Sequence, residues 1–109
     1  ICTELERIDL NEFITNGQTG IYLIRADSDS MEHEIRDGDY MIVNRELAPN
    51  SGDAVVAYIN GRFTVKDFKS RHNGLFLVPK NEKYQPQMVT AKDDFEIFGI
   101  VTGIVRKFK

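Results

Sequence analysis

Short apolar runs, separated by Gly, Asn, Asp and Pro, recur along the chain and determine its predicted elements. The runs are rich in Val, Ile, Phe and Tyr, which favour extended backbone over helix. Six strands are predicted from this pattern: Gly20–Ile24, Tyr40–Val43, Ala54–Ile59, Arg62–Phe68, Leu75–Val78 and Phe95–Val105. Several short strands at this spacing are typical of an all-β (mainly β) domain built from short twisted sheets and hairpins.

Tight turns are predicted where Asn or Asp precedes Gly. Asn60-Gly61 separates two strands by two residues. This spacing favours a type I′ hairpin, because both central positions of that turn need a positive φ. A second hairpin is predicted at residues 73–74 and a tight turn at residues 37–38, where the same kinds of dipeptide occur.

The chain as a whole is expected to form a single domain over residues 1–109. This length is enough to bury about two-thirds of the surface of the unfolded chain. The sequence contains no internal repeat, low-complexity tract or linker. At most one short helix is predicted, over Leu10–Phe13 with Asp9 as its N-cap.

The last predicted strand, Phe95–Val105, is apolar on both of its faces. Strict alternation along a strand places two sets of side chains on opposite sides. The sets are Phe95, Ile97, Val101 and Val105 on one side, and Phe98, Ile100 and Ile104 on the other. Two interpretations remain open: a central strand covered on both faces by the domain itself, or a strand whose face or edge packs against a second copy in a homodimer.

Composition and charge narrow the classes of function. No apolar run approaches the roughly 20 residues that a membrane-spanning helix needs, so no membrane anchor is expected in this chain. The net charge of −3 argues against a domain that binds nucleic acid strongly by itself, because phosphate contacts need a basic surface. The single cysteine, Cys2, is expected as a free thiol in a reducing, cytoplasmic setting.

An acidic stretch at residues 27–37 raises the question of a metal site. A calcium loop of the EF-hand type requires a ligand and a glycine at positions that Met31 and Glu32 occupy here, so this interpretation fails. His33 and His72 are far apart in the sequence and are expected to be solvated surface residues. No metal site, cofactor or Ser-His-Asp triad is therefore predicted.

A serine can also be activated by a lysine. Ser30 lies within the acidic stretch, and Lys66 lies inside an otherwise apolar predicted strand. Most lysines on strands are solvent-facing charges, and from these residues alone that alternative stays open.

An ordered set of short motifs resembles a known family. The motifs are Ser30-Met31, Asp37-Gly38-Asp39, Gly52-Asp53, Phe63-Thr64-Val65-Lys66, Val78-Pro79-Lys80-Asn81 with Tyr84 and Pro86, and Phe98-Gly99. Together they resemble the peptidase domain of self-cleaving SOS-response proteins of the LexA and UmuD type, from about Glu6 to Lys107. The upstream stretch E-R-I-D-L-N-E-F resembles UmuD in particular.

The resemblance implies a Ser-Lys dyad, with Ser30 as the nucleophile and Lys66 as the general base. The nucleophile turn around Asp29 and Met31 is expected to supply backbone N–H groups to the oxyanion. The general base must be neutral, which requires burial to lower the lysine pKa by roughly 3 units from about 10.4. The apolar surroundings are expected from Phe63, Val65 and Phe68.

The resemblance also implies a bacterial, cytoplasmic role. A RecA-type recombinase filament on single-stranded DNA triggers a cut in the N-terminal arm, and the product dimerises as the accessory subunit of a UmuC-like error-prone translesion polymerase. Two alternatives stay open: a non-catalytic dimerisation or accessory domain, and the C-terminal domain of a cleavable repressor of the LexA or phage type.

Two features depart from the family pattern. The family usually has Gly two residues before the nucleophile, and this chain has Ser28. If that position needs a positive φ, a side chain there costs on the order of 1–2 kcal/mol. The dipeptides Ala-Gly and Cys-Gly, at which such proteins are typically cut, do not occur here. The cut site is therefore expected upstream of Ile1, in a chain that is a processed or trimmed form.

Overall fold

The computed structural model describes residues 5–109, so Cys2 and its predicted free thiol lie outside the described residues. One helix and seven strands form over this range. They are α1 (Leu10–Thr15), β1 (Ile21–Arg25), β2 (Tyr40–Asn44), β3 (Ala54–Ile59), β4 (Arg62–Arg71), β5 (Gly74–Val78), β6 (Gln87–Val89) and β7 (Phe95–Val105). The predicted mainly β fold with one short helix is confirmed. The three-residue strand β6 was not predicted.

The seven strands form one antiparallel sheet in the order β1-β2-β7-β3-β4-β5-β6. Strands β3 to β6 follow one another as hairpins, whereas β7 returns from the end of the chain and inserts between β2 and β3. Each edge of β7 is paired over only part of its length, because β2 pairs with residues 100–105 and β3 with residues 95–100. Both predicted contacts with a second copy, through the strand edge or through a face, therefore stay open.

Local turn chemistry produces the hairpins at the predicted positions. Asn60 and Gly61 both have positive φ, at 50° and 88°, as the hairpin between β3 and β4 requires. Gly74 has a φ of 139° at the junction of β4 and β5. The reversal at residues 37–38 also forms, with a φ of 91° at Gly38.

The predicted alternation along β7 is wrong, because two irregularities in strand pairing interrupt it. The register shifts at Phe98 on the β3 side and at Thr102 on the β2 side. Each shift adds one residue and so reverses the side to which the following residues point. Val101 consequently packs in a different hydrophobic cluster from Phe95 and Ile97, with which it was predicted to share a face.

Two hydrophobic clusters stabilise the sheet. The first consists of Ala26, Met31, Ile35, Met41, Val43, Val56 and Val65. The second consists of Val55, Ala57, Ile59, Phe68, Leu77 and Ile100. Strand β7 runs between them, and its close approach to β2 requires glycine at position 99, where a Cβ would lie 2.6 Å from Val43 Cγ1.

An ion pair between the exposed Arg106, which follows β7, and a buried carboxylate links the end of the sheet to the segment before β2. Asp39 is 3% exposed, and its carboxylate accepts hydrogen bonds from Arg106 Nε at 2.7 Å and Nη2 at 2.6 Å. The backbone N–H of Arg36 donates a third bond at 2.8 Å. The Arg106 guanidinium, helped by this backbone bond, holds the pKa of Asp39 below its usual value.

Candidate active site

The predicted nucleophile, Ser30, lies in a compact turn between β1 and β2. Backbone bonds close this turn, from Glu32 N–H to the Asp29 carbonyl at 3.1 Å and from Ile35 N–H to the Met31 carbonyl at 3.0 Å. The side chains of Met31 and Ile35 are buried in the first hydrophobic cluster. Ser30 itself is 1% exposed. The turn therefore holds the serine hydroxyl on an anchored backbone.

The predicted base, Lys66, reaches this serine from strand β4. Its Nζ donates hydrogen bonds to Ser30 Oγ at 3.0 Å and to Thr64 Oγ1 at 2.6 Å. Thr64 and Lys66 are two residues apart on a strand, so their side chains lie on the same face. Burial lowers the pKa of Lys66, because removing water from the amine penalises its charged form. The fold thus brings together the serine and the lysine that the motifs single out.

The apolar surroundings of the lysine differ in part from the prediction. Val65 and Phe68 are each 8% exposed; Val65 belongs to the first hydrophobic cluster and Phe68 to the second. Phe63 is 63% exposed, and the prediction that it shields the lysine is wrong. Its ring instead makes edge-to-face contacts with Tyr58 and Phe98, because the neighbouring strands of the sheet present aromatic rings there.

Asn81 was quoted as part of a motif but was given no role by the sequence. Its backbone N–H donates to the Ser30 carbonyl at 2.9 Å, and its Nδ2 donates to the Asp29 carbonyl at 3.0 Å. The Tyr84 hydroxyl donates to the Asp29 carboxylate, and this bond raises the pKa of Tyr84. The loop after β5 thus fixes the nucleophile turn from outside. The Asn-x-x-Tyr spacing was the only signal for this contact.

The same loop is attached to β4 by an ion pair beside the lysine. Lys80 Nζ lies 3.0 Å from the buried carboxylate of Asp67 and 3.3 Å from that of Glu34. Asp67, and to a lesser extent Glu34, raise the pKa of Lys80. The pKa of Lys80 is therefore shifted in the opposite direction from that of Lys66.

Ser28, the departure from the family pattern, is accommodated without backbone strain. Over residues 5–109, the non-glycine residues with positive φ are Asn16 and Asn60, so Ser28 does not take the left-handed conformation that favours glycine. Its side chain has a specific partner, since the Ser30 N–H donates to Ser28 Oγ at 3.1 Å.

Two depressions flank the nucleophile turn. The larger, of about 460 Å³, is lined by Asp29, Glu32, His33, Lys80, Asn81, Glu82 and Lys83. The smaller, of about 90 Å³, is lined by Ile24, Arg25, Ala26, Asp27, Ser28, Met41, Phe63, Thr64 and Val65. The smaller depression is bordered by β1 and by β4, the strand that carries Lys66.

Between residues 5 and 109, no group of three or more His, Cys, Asp or Glu side chains is placed to hold a metal ion. No helix in this described range is long and apolar enough to cross a membrane.

Comparisons with known proteins identify the family of this chain. The profile of the peptidase S24-like family matches residues 2–102. The chain is 42% identical over 87 residues to LexA repressor 2 of Pseudomonas syringae pv. tomato, covering 79% of this chain and 43% of the relative. It is 35% identical over 115 aligned positions to the LexA repressor of Syntrophobacter fumaroxidans, and the alignment covers 98% of this chain and 54% of that relative. The chain thus spans about half the length of the curated relatives it matches. The predicted relationship to the LexA and UmuD type of self-cleaving protein is confirmed, and the chain belongs to the peptidase S24-like family.

Proposed function

We propose that this chain is the self-cleaving peptidase domain of a LexA-type repressor, with Ser30 as nucleophile and Lys66 as general base. The observation that carries this proposal is the 3.0 Å hydrogen bond between Lys66 Nζ and Ser30 Oγ in a chain of this family. A base within hydrogen-bond reach of a serine, with its pKa lowered by burial, meets the two requirements for activating that nucleophile.

The reaction follows from the positions of these groups. Neutral Lys66 accepts the Ser30 proton while Oγ attacks the carbonyl carbon of the scissile peptide bond. The resulting ammonium group then donates this proton to the leaving amine, and water hydrolyses the acyl-enzyme with the lysine again acting as the base. Thr64 Oγ1, at 2.6 Å from Nζ, orients the amine so that its lone pair faces Ser30. Backbone N–H groups of the nucleophile turn stabilise the developing oxyanion.

The repressor assignment replaces UmuD as the preferred specific role. The relatives described above are named LexA repressor, which supports the repressor alternative over a polymerase accessory subunit. We include homodimerisation and cleavage triggered by a RecA-type filament in the proposal. A dimer contact through a sheet face agrees with the 55% exposure of Leu23 on β1, which is paired with the partly buried Ile42 of β2.

Self-cleavage of the full-length protein tests the catalytic assignment. We expect slow cleavage at alkaline pH without any activator, because lysine deprotonates there. Ser30→Ala and Lys66→Ala should each abolish the fragments seen by mass spectrometry. Lys69→Ala, which removes another lysine from β4, should be cut at the normal rate. Cleavage that persists in Ser30→Ala would refute the nucleophile, and cleavage that persists in Lys66→Ala would refute the base.

DNA binding separates the repressor from the accessory subunit. A repressor should bind a specific duplex as a full-length dimer and lose affinity once it is cut, because the domain that holds the two DNA-binding regions together is removed. An accessory subunit should show no sequence-specific binding in either form. Retention of a purified UmuC-like polymerase by the cleaved protein would favour the accessory role.

A further inference from the structure

We propose that the Ser28 hydroxyl slows cleavage by occupying the backbone N–H of the nucleophile, which the oxyanion needs. This inference rests on the proposed function and adds a residue that limits its rate. The hydrogen bond from Ser30 N–H to Ser28 Oγ, 3.1 Å long, is the observation behind it.

The importance of this N–H follows from the chemistry of acyl transfer. When a serine attacks a peptide carbonyl, negative charge develops on the carbonyl oxygen next to the nucleophile. The nucleophile's own backbone N–H is one of the two donors in a well-described oxyanion hole of serine proteases. Removing one such donor lowers the rate by about 10²–10³-fold in a measured case. A side chain that already accepts this bond competes directly with the oxyanion.

The surrounding contacts leave the Ser28 side chain as the part that must move. Asn81 holds the Ser30 and Asp29 carbonyl groups, and the buried side chain of Met31 anchors the next residue. The backbone of the turn is therefore restrained on both sides of the nucleophile. The Ser28 side chain is half-buried and has a single rotatable bond that positions its hydroxyl. Rotation about this bond frees the Ser30 N–H without moving Ser30 or Lys66.

The resting accessibility of the nucleophile agrees with this arrangement. Ser30 is 1% exposed, and Ser28 lines the small depression between β1 and β4 next to it. A carbonyl oxygen that accepts the Ser30 N–H must displace the Ser28 hydroxyl from it. Breaking one ordinary hydrogen bond slows a reaction by about 2- to 10-fold, which is the size of the effect we assign to Ser28.

Four variants of the full-length protein test the inference by self-cleavage at alkaline pH. Ser28→Ala removes the hydroxyl and keeps Cβ, and it should be cut about 2- to 10-fold faster than the unsubstituted protein. Ser28→Gly should be at least as fast as Ser28→Ala. Ser28→Thr keeps a hydroxyl and should stay near the unsubstituted rate. The matched control is Ser51→Ala, which removes a similar hydroxyl acceptor from the Ser70 N–H, outside the site, and should leave the rate unchanged.

The pH profile distinguishes this role from a structural one. In Ser28→Ala the backbone N–H is free, so the cleavage rate on the plateau at high pH should rise. The midpoint of the pH profile should stay the same, because the pKa of Lys66 determines it. A small fluorophosphonate that modifies Ser30 supplies a second measurement that needs no N-terminal arm, because its phosphoryl oxygen uses the same N–H. The rate of modification should rise in Ser28→Ala by a similar factor.

The outcomes separate this inference from the proposed function. If Ser28→Ala is cut no faster than the unsubstituted protein, or if its midpoint moves instead of its limiting rate, the inference is wrong while the dyad stands. Ser28→Thr as fast as Ser28→Ala would also overturn it, because the hydroxyl would then have no effect. If the unsubstituted protein is neither cut nor modified at Ser30, the proposed function fails, and the inference fails with it.

Discussion

The Lys66 amine lies 3.0 Å from the Ser30 hydroxyl, although the two residues are 36 positions apart in the chain. Two independent parts of the fold produce this distance. The buried side chain of Met31 anchors the serine turn, and the hairpin at residues 60–61 sets the register that places Lys66 on β4. Because both parts belong to the folded core, the fold itself holds the serine and lysine side chains in contact.

The cleavage rate should depend on the protonation of Lys66. Burial lowers the pKa of this lysine, and only its neutral form accepts a proton, so the rate should rise with pH and level off. The midpoint of this pH profile should lie below about 10.4, the pKa of a free lysine. Self-cleavage rates of the full-length protein between pH 6 and 11 measure it. A rate that is independent of pH would contradict the assignment of lysine as the base.

Replacing Lys66 by Met should make the protein more stable at neutral pH. The lysine pKa is lowered in the folded state, so between the two pKa values the unfolded chain binds more protons, and stability rises with pH there. The advantage of Lys66→Met should therefore be largest below the folded pKa and should shrink as pH rises towards about 10.4. Urea unfolding at several pH values measures it. An advantage that does not vary with pH would contradict a buried lysine.

The Thr64 hydroxyl should position the lysine rather than take part in bond breaking. Thr64→Val keeps the side-chain shape but removes the acceptor 2.6 Å from Nζ. We expect cleavage to slow by roughly fivefold, since one hydrogen bond is worth about 1 kcal/mol. Thr64→Ser keeps the hydroxyl and should recover most of the rate. If both variants behave alike, the hydroxyl has no positioning role.

The ion pair between Asp39 and Arg106 should make stability depend on acid pH. The Asp39 pKa is lowered in the folded state, so its contribution is present above the unfolded value of about 3.9 and is lost as pH falls through the folded value. Asp39→Asn should lower the unfolding free energy at pH 7 by about 2 kcal/mol, the usual worth of a hydrogen bond to a charged group.

The difference between Asp39→Asn and the unsubstituted protein should begin to narrow near pH 4, where the carboxyl becomes protonated in the unfolded chain, and should be lost as pH falls through the lower pKa of the folded state. Asp37→Asn, at an exposed position in the same turn, is the matched control and should change stability little. Equal losses of unfolding free energy in Asp39→Asn and Asp37→Asn would show that the pair between Asp39 and Arg106 has no special role. Thermal unfolding from pH 2.5 to 7 measures both.

Local signals in the sequence were sufficient for six of the seven strands, for the predicted turns and for the fold class. Asn60-Gly61 forms its hairpin because the conformation of a two-residue turn depends on those two residues alone. The β-branched and aromatic runs became strands for a similarly local reason. The ordered motifs also singled out Ser30 and Lys66, because the resemblance is a property of residue types in a fixed order.

Contacts between distant segments were decided only by the tertiary structure. The irregularities at Phe98 and Thr102 depend on how β7 fits between two other strands, and no pattern within β7 predicts them. The bond from the Asn81 side chain to the Asp29 carbonyl, for example, joins residues that are 52 positions apart in the chain. The contact of Ser28 with the Ser30 N–H is local, yet it depends on a side-chain rotation. Composition and periodicity carry no information about such a rotation, because it is determined by the packing of the turn against the folded core.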